Sequence, residues 1–450
     1  MRTKSTYIIT FLLILALAAT AALFVLSAAR TRTAEVFADG EEGILTVHFI
    51  DCGQADACVI EFPDDKTMLI DAGHTSSASY GNVTAYIDSL GITEFDYFIM
   101  THSDADHCGG VKNVLSDISV KTSYRPNQEA TYEGYDDPAV EADGSKGLHG
   151  DYTGKDTKTY ADAIAAVYSV SDDVYVFDAA NDEINNITGS ATVDGETFEY
   201  TFDFYSPLSD SYSDNNNYSP IMVLSYAGRN IVLSGDAEKQ NEEEFVAKVR
   251  DSNDDERYDR FRRGFDADVI KMGHHGSSTS SSEAYLGIMC STESARCNTY
   301  TVFSCNDESY GNKYAHPHHE TLERLMDMNF SPERIERTDL NGNIRFDIRS
   351  GGELTRTHDR DATVTQLLTS GSSDTRPETV IEDNGVRPTE PNGSPVTRPD
   401  PENPFAFLGE LTTTQIIIII AIAVVVLIVI IIVCAAVSRR SKKKKGRRRR

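Results

Sequence analysis

The chain has 450 residues, 40% hydrophobic and 25% charged, with a formal net charge of −28; that length allows two or three average domains, or one larger α/β domain with appendages. Seven cysteines, none in CxxC spacing, exclude a small disulfide scaffold and a zinc knuckle. Removing the ten basic residues of the C-terminal tail takes the charge from −28 to −38, so the remainder repels polyanions unless a local basic patch or a bound metal offsets it.

In chain order, Ile8 to Ala28 is apolar and follows Arg2 and Lys4. It reads as a signal peptide, with Val36-Phe37-Ala38 as the cleavage site, or as an uncleaved anchor within residues 1–38. From Gly43 the texture is that of a folded domain. Leu45 to Ile50 alternates as a strand, Ala57 to Phe62 and Thr67 to Ile70 follow as strands, and Asn82 to Leu90 has helical spacing. A strand ending at Met100 leads into His102-Ser103-Asp104-Ala105-Asp106-His107, then a glycine pair. Residues 125–154 are polar and read as an insertion loop or lid. Ala161 to Val170 is expected to be a helix and Val174 to Phe177 a strand. Phe198 to Tyr205 alternates, and a hairpin turns about Ala227-Gly228-Arg229-Asn230. A helix over Glu238–Val249 precedes a short strand and Gly273-His274-His275-Gly276-Ser277. Thr299 to Ser304 is a strand, and a helix begins near His319. Cys290, Cys297 and Cys305 are close enough in sequence for one bridge, and free thiols fit the spacing equally well.

Past the domain expected over 44–350, residues 351–415 turn rich in Thr, Ser, Pro, Asp and Glu and read as a stalk. Residues 416–437 are an unbroken apolar run long enough to span a membrane. The basic tail 438–450 fixes the cytoplasmic side, placing the domain outside the cell.

The chemistry concentrates at strand ends. Four ionisable side chains within six residues, His102, Asp104, Asp106 and His107, would repel or stay badly solvated without a cation between them. A helix cap needs one carboxylate and no histidine. Asp71, Asp236 and the His274-His275 pair also follow β-rich runs, and strand ends on one sheet edge can converge although far apart in sequence.

Taken together, Phe49-Ile50-Asp51-Cys52-Gly53-Gln54-Ala55-Asp56, Leu69-Ile70-Asp71-Ala72-Gly73, the His102 cluster, Asn216-Asn217-Tyr218-Ser219, Ser234-Gly235-Asp236, His274-His275-Gly276-Ser277 and Tyr314-Ala315-His316-Pro317 resemble the metallo-β-lactamase superfamily. Within it, the likeness is to the metallohydrolase domain attached to the competence channel protein ComEC. The resemblance implies a four-layer αββα sandwich with two divalent metal ions, manganese or zinc, at one edge. It implies His102, Asp104 and a bridging Asp236 on the first metal, completed by water or Asn217. Asp106, His107 and either His274 or His275 would hold the second. Asp71 would brace the ligand loop, Gln54 and Asp56 would form a flanking turn, and Ser277 and His316 would contact phosphate or protonate a leaving group. Two departures stand out: Asp104 replaces a histidine, and no histidine precedes the Ile221 strand where a middle ligand is expected. His149 could serve there only if the polar loop folds over the site.

Such a site hydrolyses. Two cations stabilise hydroxide at neutral pH and neutralise the developing oxyanion, with Asp106 orienting the nucleophile. The expectation is a membrane-anchored extracellular phosphodiesterase or nuclease needing no nucleotide cofactor, its substrate a nucleic acid or a phosphodiester on a cell-wall polymer. The alternatives are hydrolysis of another small ester, lactone or amide, and an inactive surface-binding module.

Overall fold

The computed structural model describes residues 43–360, except 183, 252–254 and 307–315, together with the backbone of 363–366 and 379–382. The expected leader or anchor at 1–38, most of the 351–415 stalk, the apolar run at 416–437 and the tail lie outside the described residues. Among the described residues, no helix is long and apolar enough to cross a membrane.

Two sheets face each other. The first is built from Ile44–Phe49 (β1), Cys58–Glu61 (β2), Thr67–Ile70 (β3), Glu94–Ile99 (β4) and Ser119–Arg125 (β5). After a small ribbon of Gln128–Ala130 (β6) and Thr153–Lys155 (β7), Ser171–Val176 (β8) rejoins it. The second sheet takes Asn186–Val193 (β9), Glu196–Phe204 (β10), Met222–Tyr226 (β11), Arg229–Leu233 (β12), Val269–Lys271 (β13), Tyr300–Phe303 (β14) and Ile335–Arg337 (β15). The chain then returns to the first through Ile344–Arg349 (β16) and Leu354–His358 (β17). The orders are β17-β16-β1-β2-β3-β4-β5-β8 and β15-β14-β13-β12-β11-β10-β9.

Each sheet is antiparallel in one half and parallel in the other. The parallel runs are β3-β4-β5-β8 and β12-β13-β14-β15. Parallel neighbours need crossovers, and those crossovers place helices on the outer faces. Ser77–Leu90 and Lys158–Val170 cover the first sheet, while Lys239–Arg250, Glu283–Met289 and His319–Asp327 cover the second. Strand alternation sorts the apolar residues between layers. In β3, Met68 and Ile70 enter the core between the sheets and Leu69 packs under the helices; in β12, Ile231 and Leu233 face inward and Val232 outward. These three apolar layers define the mixed α/β sandwich.

Several expectations change. Residues 125–154 are not an open loop. The Arg125 guanidinium is fully buried, donating to both carboxylate oxygens of Asp137 at 2.6 and 2.7 Å and to the Gln128 carbonyl at 2.6 Å. That bidentate pair folds the polar segment down, so abundant Gly and Asp did not mean an unanchored chain. Strand β9 was not expected because Asn186-Ile-Thr-Gly-Ser-Ala-Thr-Val193 is weakly apolar; it is an edge strand exposed on alternate residues. Ordered pairing continues past position 350, since β17 lies antiparallel on β16. All six described cysteines are thiols, Cys290, Cys297 and Cys305 among them, so the bridge allowed by spacing does not form.

Arg125→Ala leaves the Asp137 charge buried without its partner, a loss of about 3–5 kcal/mol. The expected result in urea unfolding is a lowered midpoint, with new proteolytic cleavage between residues 126 and 154; an unchanged midpoint would show the pair is dispensable.

Candidate metal centre

The site forms where parallel strands of both sheets end. β3 delivers Asp71, β4 the His102–His107 turn, β12 Asp236, β13 the His274–His275 turn, and β14 Ser304. Ligand-binding crevices of α/β sheets lie at such carboxyl ends.

Asp71, with φ +56°, ties the first loop together. Its carboxylate accepts from the Thr101 backbone N–H at 2.9 Å, the Thr101 hydroxyl at 2.7 Å and His107 Nδ1 at 2.7 Å. With Nδ1 so held, His107 presents Nε2 to Asp236 Oδ2 at 3.1 Å. From the second sheet, His275 Nδ1 donates to the Ser304 carbonyl at 2.7 Å, which turns its Nε2 to 3.2 Å from Asp106 and 3.4 Å from Asp236. His274 Nε2 lies 3.9 Å from the same Asp236 oxygen. Asp56, His107, Asp236 and His275 are all buried, with one potential ligand atom from each lying within 4.8 Å of those of the others.

The electrostatics call for positive charge. Burial works against ionising Asp236, yet the imidazoles of His107, His275 and His274 hold its carboxyl well below the usual range. Asp106 is lowered too, burial being outweighed by His275 and His107. His107 is raised well above an ordinary imidazole: Asp236 and Asp71 overcome its desolvation. Lys271, buried at the end of β13, forms an ion pair with Asp56 and donates to the Gly235 carbonyl at 3.2 Å. Asp56 is thus neutralised by an ammonium, leaving Asp236, Asp106 and the histidines as the cation donors. His102 Nε2 and Asp236 Oδ1 are buried without a hydrogen-bond partner, which costs stability unless a ligand meets them. Imidazole nitrogens and carboxylate oxygens aimed at one point are the donor set of a divalent ion, so the residues present fit the implied metals.

The structure brings His102, Asp106, His107, Asp236, His274 and His275 to this edge, and between the last two it sets His275 deeper. Asp104 is drawn elsewhere: Oδ1 accepts from Lys155 Nζ at 2.7 Å and Asn215 Nδ2 at 3.0 Å. Asn217, expected beside metal or substrate, is buried, and its Oδ1 accepts from the backbone N–H groups of Glu238 and Asn241 at 3.2 and 3.1 Å; it serves the start of the Lys239–Arg250 helix. Ser277 is also buried, its hydroxyl 2.9 Å from that of Thr279. His316 stacks on His275, with ring centroids 5.8 Å apart, and its Nδ1 is 2.9 Å from Gln54 Nε2. Burial, then the neighbouring His275, His274 and His318, lowers its pKa to about 3, so His316 is neutral at physiological pH, a hydrogen-bonding group and not a ready proton donor. His149 is committed to Asp210 and the Phe177 carbonyl, both at 2.9 Å, and is no middle ligand.

Sequence reasoning missed the Lys271–Asp56 pair, Glu238 and Glu242. A lysine inside the otherwise apolar Val269-Ile270-Lys271 strand was the available signal for the first. Nothing local marked the two glutamates, whose partners lie about 40 positions away in sequence.

The model of the metallo-beta-lactamase superfamily matches residues 50–288, and the chain belongs to this superfamily of metal-dependent hydrolases. It is 24% identical over 315 residues to ComE operon protein 3 of Bacillus subtilis (strain 168), covering 67% of this chain and 32% of that protein. To competence protein ComA of Neisseria gonorrhoeae it is 28% identical over 151 residues, 34% of this chain and 18% of that protein. The chain therefore spans a third or less of these relatives. Among solved structures, a diphosphatase from the PhnP family aligns with TM-score 0.30 at 11% identity, over 65% of this chain and 94% of that one. A HARLDQ-motif metallo-beta-lactamase mutant from Cronobacter sakazakii aligns with TM-score 0.25 at 14% identity, over 65% and 92%.

Glu242 supports the histidine turn from below, accepting from the backbone N–H groups of Ser281 at 2.5 Å and Ser282 at 2.8 Å. Burial outweighs these donors and raises its pKa from 4.5 to about 7. The folded state thus favours the neutral acid: its contribution is complete below pH 4.5 and disappears as pH rises through about 7, on the order of 3 kcal/mol. Glu242→Gln cannot accept from both N–H groups and should start less stable, but its fall in stability between pH 4.5 and 7 should be flatter than that of the unaltered chain. Parallel slopes in urea titrations across that range would refute this.

Proposed function

We propose that this chain is an extracellular, membrane-tethered phosphodiester hydrolase working with two divalent cations, manganese or zinc. The observation carrying the hydrolytic reading is the convergence of His107, His275 and His274 on one oxygen of buried Asp236. The chemistry such cations supply when bound is acidification of water and neutralisation of charge building on a substrate oxygen. A carboxylate-rich shell is harder than an all-imidazole one and favours manganese over the zinc typical of the superfamily. The phosphodiester substrate is supported by the resemblance to the ComEC-type metallohydrolase domain and by the likeness to ComE operon protein 3 and competence protein ComA.

The chain's own residues would divide the work. Asp106, ionised and 30% exposed along its side chain, accepts the proton side of an attacking water and orients it. Asp71 and Ser304 fix the tautomers of His107 and His275, so that neither ring must reorganise during reaction. Neutral His316, at the same edge, is suited to hydrogen-bond a phosphoryl oxygen. Ser277, turned onto Thr279, would support the loop more than touch substrate. Outward placement rests on the basic tail after the apolar 416–437 run, and the same run would tether the enzyme. The acidic remainder favours a short diester or a cell-wall polymer linkage over long DNA.

The purified whole chain should cleave bis(p-nitrophenyl) phosphate with Mn²⁺ or Zn²⁺, and Asp236→Asn should lower kcat/KM about 100-fold or more. Turnover indifferent to Asp236, or none with Mn²⁺, Zn²⁺ or Mg²⁺, sinks the hydrolase reading. Single-stranded DNA that survives at both low and moderate salt while the small diester is cleaved removes the nuclease form alone.

A further inference from the structure

Residues 205–221, where the resemblance expects a middle histidine ligand, contain none. The stretch instead contributes asparagines that act on other groups. Asn215, with Lys155, holds Asp104 Oδ1, so an expected ligand oxygen is committed to an ammonium and an amide. Asn216 Nδ2 lies 3.4 Å from His274 Nδ1 and 3.3 Å from Glu238 Oε1. Glu238 Oε1 is itself 2.9 Å from His274 Nδ1. With Nδ1 bound to a carboxylate, His274 is fixed in the tautomer that leaves the Nε2 lone pair available, the arrangement by which ligating imidazoles are oriented. That Nε2 sits 3.9 Å from Asp236 Oδ2.

The backbone reinforces this. His274 and His275 both adopt left-handed conformations, with φ +47° and +55°, which are strained in a non-glycine residue. Adjacent side chains in extended backbone point apart; here the strained turn brings both Nε2 atoms to the same oxygen of Asp236. A histidine needed only for its ion pair with Glu238 would not require that conformation. Meanwhile, the buried His102 Nε2 and Asp236 Oδ1 have no hydrogen-bond partner.

We propose that His274 is a ligand of the first metal in place of the absent middle histidine, sharing it with His102 and Asp236, and that Glu238 and Asn216 are its positioning residues. Asp104 stands outside that shell, held by Lys155. His275, Asp106 and His107 serve the second metal. The inference rests on the two-cation reading of the site but not on the identity of the substrate.

The test is metal content by mass spectrometry, with Co²⁺ titration followed by visible absorption, on the purified whole chain. The unaltered chain should bind two equivalents. His274→Ala should lose one or bind it at least about 10-fold more weakly, and Glu238→Gln should weaken the same equivalent by about 10–100-fold. Asp104→Asn should keep both. Far-ultraviolet circular dichroism checks folding, and if His274→Ala fails to fold, Glu238→Gln decides. Two equivalents with an unchanged Co²⁺ spectrum in the deciding variant overturns the proposal, as does loss of one in Asp104→Asn or a single equivalent in the unaltered chain. Metal binding as expected without diester cleavage would leave this assignment standing and remove the phosphodiesterase reading; cleavage with one equivalent would do the reverse.

Discussion

A carboxylate buried to 2% exposure and surrounded by imidazoles is the constraint on which the rest of this molecule depends. Asp236 cannot be ionised there without neighbours that repay its lost hydration. His107 comes from the first sheet, and His274 and His275 come from the second. The two sheets must therefore hold their loop ends in fixed relation. Lys271 and Asp56 act as a cross-strap at that junction: Lys271 ends β13, while Asp56 belongs to the loop after β1, whose backbone N–H donates to the Asp106 carbonyl at 3.1 Å. Even with Lys271 counted, Asp56, Asp71, Asp106 and Asp236 leave the junction short of positive charge. Without cations the histidines must supply it, which is why His107 is so readily protonated.

The scaffold makes that junction by topology. Antiparallel halves fill the inner core, and parallel halves send their carboxyl ends to one edge. Helices cover the outer faces because parallel crossovers leave them no other place. The loops that carry chemistry are short, and each is braced by a group outside the ligand set: Asp71 under His107, the Ser304 carbonyl under His275, Glu238 under His274. Orienting groups of this kind matter because a ligand ring free to rotate loses much of its affinity for metal.

The strand ends are legible in the sequence because apolar runs stop abruptly at Met100, Leu233 and Ile270, and ligand-type residues follow within a few positions. The inner and outer layers came from the family resemblance, because runs such as Met68-Leu69-Ile70 and Ile231-Val232-Leu233 are apolar on both faces. What local pattern could not show depends on contacts between remote residues. Asn217 looks like a substrate contact until the Lys239–Arg250 helix start is laid against it. The contact of Asp104 Oδ1 with Lys155, 51 positions later, is likewise invisible in local sequence. The polar 125–154 segment looks unanchored until Arg125 and Asp137 meet in the interior. His274 and His275 differ in partner and depth, Glu238 for the one and the Ser304 carbonyl for the more buried other, and both partners come from remote parts of the chain.

The acidity of the chain and the proposed diester substrate are reconcilable once distance is considered. At physiological salt, exposed charges are screened beyond roughly 8–10 Å, so such a diester arriving at the edge would sense the groups there and any bound cations more than distant acidic side chains. A long polyanion differs, because every repeat laid along the surface meets more of the same repulsion while only one repeat reaches the site. Discrimination by substrate length would then follow from net charge, and it would weaken as salt rises. On the proposed phosphodiesterase reading, bound cations would supply the positive charge that the junction lacks, and the acidic remainder would favour short or sparsely charged diesters.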